Sequence, residues 1–338
     1  MTPADRAQLR LQRLAHLIEP SLRDAFLKAA RALRPDDLPG LIRLLEAGDV
    51  EAAIDLLFLS PDAIAARNLM RARWSQALIE TTRLLTRDLG RELRIRVQAP
   101  VVTPAIIDAV RTWEDDAFAR IADELRKGLK ESVAQELTRG LGPRQIALAL
   151  RTNLSGGLTE YDARIIASFR KALEEGRFRD ALGRQLRDGR FDRTLTRLAN
   201  GGRLSPQQVD KMVAAYRRRL VAWRAETFAR TNALAAANAS AEVSWREAVA
   251  SGEVDIAHLR RYWVVAQDER LCPICSVIPS QYPQGVGMDE DFVVDNEATP
   301  HPPAHPNCRC TVWIRWERPG IRQRPQPGTT RFVFPQAA

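Results

Sequence analysis

The sequence predicts a mainly α protein, with multi-helix N-terminal and central regions and a small C-terminal β element. Three observations carry this. Up to about residue 250, apolar residues recur at helical spacing and the runs stop at proline or glycine. After Ser251-Gly252 the helix formers thin out and two short runs, YWVV (262–265) and TVWIRW (311–316), take on strand composition. Between those runs lies a proline-rich loop ending in HPPAHPNCRC (301–310), which holds half of the chain's four histidines and half of its four cysteines.

The elements follow in order. Leu9, Leu11, Leu14, Leu17 and Ile18 form an amphipathic stripe that Pro20 is expected to end. Shorter helices are expected over 38–47 and 50–59, split by Gly48-Asp49. Ser60-Pro61-Asp62 reads as an N-cap with proline at the first helical position, opening a helix to about Leu89. RIRVQAPVVTP (94–104) reads as extended, and Thr103-Pro104 opens another long helix towards Thr138.

GLGP (140–143) breaks the pattern. A short helix over PRQIALALRTNL, a loop at Ser155-Gly156-Gly157 and a helix capped by Thr159 come next. Beyond a basic, glycine-punctuated run, LSPQQVDKMV opens the longest expected helix, from Pro206 towards Ala250. Its positions Val209, Val213, Tyr216, Leu220 and Trp223 keep helical spacing and read as core rather than as a binding groove. In TVWIRW, Val312, Ile314 and Trp316 alternate with Thr311, Trp313 and Arg315. The expected divisions are an N-terminal helical region (1–140), a central basic helical region (141–250), a C-terminal β element (251–318) and an extended tail (319–338) whose RFVF could add a strand.

Composition narrows the setting. No apolar run approaches the length of a membrane span, and MTPADRAQLRLQRLAHL lacks the apolar core of a signal peptide, so synthesis in the cytosol is expected. The net charge is +9 and is unevenly spread. From Arg164 to Arg230, 17 Lys and Arg stand against 7 Asp and Glu, an excess of ten, and the rest of the chain is close to neutral. Arg177, Arg179, Arg184, Arg187, Arg190, Arg193, Arg197, Arg217, Arg218 and Arg219 are the candidate contacts to a polyanion or an acidic protein surface. A solvated arginine-rich helix face is the plain alternative.

The remaining cysteines form Cys272-Pro273-Ile274-Cys275, directly after the first strand. The order is thus strand, C-x2-C, a 29-residue loop, His305-x2-Cys308-x-Cys310, strand. A C-x2-C turn brings two thiolates to one tetrahedral ion and a second pair on a partner strand completes the set. We therefore expect a structural Zn2+ clamping the β element, with Cys272, Cys275, Cys308 and Cys310 as the favoured ligands. His305 would replace one cysteine or hydrogen-bond to the site. The loop holds little to make a core, so the clamp is expected to fix it. Two disulfides or four free thiols are the alternatives, the former disfavoured by a reducing cytosol.

No catalysis is expected. A zinc deaminase needs His-x-Glu and Pro-Cys-x-x-Cys, whereas His258 is followed by Leu259-Arg260 and Leu271 precedes Cys272. No His-Glu-x-x-His, phosphate loop, dinucleotide fingerprint or nucleophile elbow occurs. The alternative is a zinc-knuckle DNA-binding protein or nuclease, with His301 or His305 as base and Asp289, Glu290 or Asp291 on a second metal. A four-cysteine zinc has no open position to activate water.

YWVVAQDERLCPIC and PPAHPNCRCTVWI resemble the C-terminal signature of the Mu-F-like phage minor head proteins, also called phage head morphogenesis proteins. The helical stretches upstream extend the resemblance over roughly residues 140–316. It implies a non-catalytic structural protein in the head of a tailed phage, at or near the portal vertex, acting in head assembly, DNA packaging or DNA delivery. The implied partners are the portal protein, the major capsid protein or scaffold, and packaged double-stranded DNA, with no membrane. The implied location is the virion, reached from the host cytoplasm during assembly. Two departures stand out: the family usually shows Arg-Thr-Glu where this chain has Arg230-Thr231-Asn232, and SQYPQGVGMDED (280–291) looks inserted, an expected virus-specific contact.

Overall fold

The computed structural model describes residues 1–95, 103–113, 119–152, 157–266 and 271–317. The tail, residues 96–102 of the expected extended segment, the Asp268-Glu269-Arg270 part of the family signature and most of the 155–157 loop lie outside them.

The chain is mainly helical: α1 (Pro3–Ala32), α2 (Leu38–Glu46), α3 (Val50–Phe58), α4 (Pro61–Leu93), α5 (Pro104–Thr112), α6 (Ala119–Thr138), α7 (Pro143–Thr152), α8 (Glu160–Glu174), α9 (Phe178–Leu182), α10 (Asp192–Leu198) and α11 (Pro206–Ala250). The caps read from the sequence are present. Ser60, Thr103, Thr159 and Ser205 each accept a main-chain N–H three residues on, and Thr159 and Ser205 complete reciprocal capping boxes with Asp162 and Gln208.

One helix boundary is corrected. Pro20 does not end α1, which runs through it to Ala32. Pro20 is exposed, as is His16, whose carbonyl has no N–H partner at Pro20; that carbonyl can turn to water. The buried face of α1 is Gln8, Leu11, Ala15, Leu22, Ala25, Phe26 and Ala30, so Leu9 (41% exposed) and Leu17 (73% exposed) of the expected stripe point outward. Trp223 on α11 likewise faces out, while Val221 and Ala225 continue the core face.

The core is built on α11. Its C-terminal half, ALAAANASAEV, has small residues on nearly every side, which lets α1 and α4 approach closely. Phe26 meets Phe228 with ring centroids 4.9 Å apart, and Trp74 stacks on Trp113 at 4.6 Å. Polar rungs tie α4 to α11: the Ser240 hydroxyl donates to the Leu78 carbonyl and Thr86 Oγ1 to Ser244 Oγ. A second cluster gathers α2, α3, α6 and α7 around Leu41, Ile54, Val133 and Ile146. A third packs α8, α9 and α10 on the N-terminal half of α11 around Phe169, Phe178 and Tyr216. Gly128 on α6 is required by the approach of α8: a Cβ there would stand 2.0 Å from the Leu158 carbonyl oxygen.

The C-terminal element contains β1 (Leu259–Val264), α12 (Pro273–Ser276), α13 (Ile278–Gln281), β2 (Phe292–Val294), β3 (Glu297–Thr299) and β4 (Thr311–Trp316). β1 and β4 pair antiparallel, with Leu259 opposite Trp316 and Val264 opposite Thr311, and β2 and β3 form a small hairpin. α1 and α11 both pack against β4.

Candidate metal centre and basic surface

The two strands bring both cysteine pairs to one end of the sheet. Cys272 stands at the N-cap of α12, where its main-chain carbonyl accepts the Ser276 N–H at 3.0 Å. Cys275 lies on that turn, fully buried. Its sulfur is 3.1 Å from His305 Nε2 and 3.9 Å from Cys308 Sγ. Donor atoms of Cys272, Cys275 and His305 lie within 4.8 Å of one another, and so do those of Cys275, Cys308 and Cys310. All five expected ligands therefore gather around Cys275.

This donor set fits a thiophilic divalent ion. Two thiolates on one tetrahedral zinc stand roughly 3.8 Å apart, close to the Cys275–Cys308 separation. All four cysteines are free, so neither disulfide is formed. The sulfurs of this cluster compete for protons. Hydrogen bonds from the Cys275 and Cys310 thiols hold Cys308 well below the usual thiol range, while the hydrogen bond to Cys308 pushes Cys275 up. A separate hydrogen bond to Cys308 raises His305 to about 9. A cation replacing those protons removes the competition.

The loop between the pairs is better packed than its composition suggests. Phe292 is fully buried against Trp263 and Tyr282, with edge-to-face contacts at 5.3 Å, and Val286, Val294 and Ile278 complete a small core around the cysteines. Arg261, only 1% exposed, is its polar centre. Its guanidinium donates to the carbonyls of Gly287 (3.1 Å), Pro300 (2.8 Å) and Glu290, and pairs with Glu242 of α11 at 3.1 Å. Gly285 (φ 66°) lies so close that a Cβ would stand 2.5 Å from the Arg261 carbonyl oxygen. Much of the expected insertion is thus folded around β1.

A second set of contacts bolts the ligand loop to the helices. Asn307, in the left-handed region (φ 59°), donates its main-chain N–H to Thr231 Oγ1 (3.0 Å) and its amide to Thr227 Oγ1, and accepts from Arg230. Asn238, fully buried on α11, donates to the Pro302 carbonyl (2.9 Å) and accepts the Val312 N–H (2.8 Å). From α1, Gln12 donates to the Arg309 carbonyl and Gln8 to the Val265 carbonyl. Sequence reasoning missed Arg261, Asn238 and Asn307. At Asn232, where the family usually has Glu, the neutral amide accepts the buried Trp113 Nε1–H at 2.8 Å and donates to the Phe228 carbonyl. A carboxylate there would bury a charge in the core.

The residues of the alternative reading do not converge. Asp289 pairs with Arg246, Glu290 accepts the Gly287 N–H, and His301 Nδ1 is 2.8 Å from the Pro302 carbonyl. Among the described residues, none of Asp289, Glu290, Asp291 or His301 joins a group of candidate metal ligands.

The basic segment divides. Arg177 pairs with Glu175 and Asp180, Arg187 with Asp192 through both carboxylate oxygens, and Arg190 with Asp188, whose carboxyl it holds down at about 2. Arg184 donates to Ser168 and Arg219 to the Arg187 carbonyl. Arg217 is not on the surface: it is 7% exposed, and burial pulls its guanidinium down to about 10. Arg179, Arg193, Arg197 and Arg218 are exposed, with no ion pair among the described residues.

The profile of one family, described as Phage Mu protein F like protein, matches residues 127–313. That is more than half of the chain, and it takes in the basic segment, α11 and every candidate ligand. The chain belongs to this family. Membership puts it among the phage head morphogenesis proteins. No curated protein and no solved structure matches the chain. No helix among the described residues is long and apolar enough to cross a membrane.

Proposed function

We propose that this Mu F-like protein is a non-catalytic minor component of a tailed-phage head, acting at or near the portal vertex during head assembly, DNA packaging or DNA delivery. The family match over 127–313 carries this reading. Within it, a structural Zn2+ closes the C-terminal element, supported by the five donors gathered around Cys275. Bound there, zinc would supply cross-linking of the two turns rather than chemistry on a substrate. Arg179, Arg193, Arg197 and Arg218 offer cations that the fold does not use. They suit packaged double-stranded DNA, through sequence-independent phosphate contacts, or an acidic face of the portal, major capsid protein or scaffold.

The test is to count the protein in purified, DNA-filled particles by quantitative mass spectrometry against the major capsid protein. A handful of copies per particle is expected. Absence from particles, with metal-dependent DNA cleavage by the purified protein, would instead favour the nuclease reading.

A further inference from the structure

We propose that the metal is held by Cys272, Cys275, His305 and Cys308, three thiolates and one imidazole, and that Cys310 is a buried thiol beside the ion rather than a ligand. The proposal rests on the zinc reading above and departs from the four-cysteine set that the sequence favours.

The first argument is the shape of the two turns. Cys272 and Cys275 stand at positions i and i+3 of a turn whose first carbonyl accepts the Ser276 N–H at 3.0 Å. His305 and Cys308 repeat that spacing in a turn closed by the Cys308 N–H on the His305 carbonyl at 3.1 Å. Pro306 and Asn307 occupy its two central positions, with Asn307 in the left-handed conformation such a turn requires. Two donors at the ends of one closed turn emerge on the same side. This second turn is also rigidly mounted, because Asn307 is bonded to Thr227 and Thr231 of α11. Cys308 and Cys310 are separated by one residue at the entry to β4 and share no such turn.

The second argument is the tautomer of His305. Its Nδ1 lies 3.0 Å from the Pro306 carbonyl oxygen, an acceptor only, so that nitrogen carries the proton. In the neutral ring that metal binding requires, the Nε2 lone pair then faces Cys275 Sγ at 3.1 Å. A ring N–H given to a backbone carbonyl while the other nitrogen faces the metal is the usual setting of a ligating histidine. Cys310 is within 4.8 Å of Cys275 and Cys308 and is 2% exposed, but it lies beyond the closed turn, directly before β4. Two complete turns fill a tetrahedron, and the fifth donor is surplus.

The experiment uses the full-length protein loaded with Zn2+ or Co2+. In the wild type, the intensity of the cobalt–thiolate charge-transfer band should count three thiolates. Cys310→Ser should keep one zinc per chain, with affinity within a few fold of wild type. His305→Ala should lose more than the roughly 10–100-fold that removing a ligand's hydrogen-bond partner costs. His305→Cys should bind zinc and raise the thiolate count to four. A wild-type count of four, or zinc lost with Cys310→Ser and kept with His305→Ala, overturns this ligand set while leaving the zinc reading intact. A wild type that takes up neither metal overturns both.

Discussion

The helical core and the C-terminal element are held by different forces. Where α1, α4 and α11 meet, the interior is Leu11, Phe26, Trp74, Leu78 and Phe228 packed on a floor of alanines. No one side chain there is indispensable, because burial is shared among many. The element from β1 to β4 joins that core through Leu259, Met288, Val312 and Ile314, and the rest of it has a smaller cluster of its own. It depends on a few directed interactions: Arg261 to three carbonyls, Asn238 to Pro302 and Val312, Asn307 to α11, and the donors around Cys275. Small elements commonly need such a staple, because their apolar area does not offset the entropy of ordering the chain. A substitution in the core should therefore cost stability in proportion to the volume removed, and one in the element should cost local order.

The largest effect should come from Cys272→Ser or Cys308→Ser. Structural zinc in small domains contributes on the order of 10 kcal/mol of binding energy. Limited proteolysis should then cut within 271–312, while a fragment holding α4 and the C-terminal half of α11 stays resistant. Resistance unchanged in the metal-free variant would mean that Phe292 and Arg261 suffice. Arg261→Met should rank next, lowering stability by about 3 kcal/mol in denaturant unfolding, because it leaves three buried carbonyls without their donor and Glu242 with Arg246 as its remaining cation. Leu78→Ala, in the fully buried core, should cost about 2–5 kcal/mol and leave the zinc content unchanged. Asn238→Ala should cost about 2 kcal/mol and, unlike Leu78→Ala, weaken zinc affinity too, since its two bonds reach the ligand loop. The smallest effect on stability, within about 0.5 kcal/mol, should follow replacement of Arg179, Arg193, Arg197 and Arg218 by Gln. If those arginines meet phosphate, the slope of log binding constant against log salt should fall by about 0.9 for each phosphate no longer neutralised. An unchanged slope would direct attention to an acidic protein face.

What could be read from the sequence divides along the same line. Caps at Ser60, Thr103, Thr159 and Ser205, the extent of α11 and the strand TVWIRW are local signals, carried by residues a few positions apart. The gathering of five sulfur and nitrogen donors was legible because the cysteines and His305 are rare residues at metal-ligand spacing. Arg261, Asn238 and Asn307 were not, because each acts on groups far away in sequence, and a buried arginine looks like any other in a strand. The basic segment misleads in a similar way. Its charge excess is real, yet six of the ten candidate arginines are claimed by nearby carboxylates, a carbonyl, a hydroxyl or the interior. Pro20 reads as a stop because it cannot donate within the helix, but on the solvent side of a helix already bound to α11 that missing donor is tolerated.

The most direct test is hydrogen exchange on the full-length protein, zinc-loaded and then stripped with a chelator. The account predicts that amides of 271–312 lose protection on stripping. Those of residues 3–19, whose Gln8 and Gln12 hold the Val265 and Arg309 carbonyls, should lose part of theirs. Amides of 22–32, 70–89 and 225–250 should stay protected. Exchange unchanged throughout would contradict the idea that a metal holds the C-terminal element, and loss spread evenly over α4 and α11 would contradict the division between core and element.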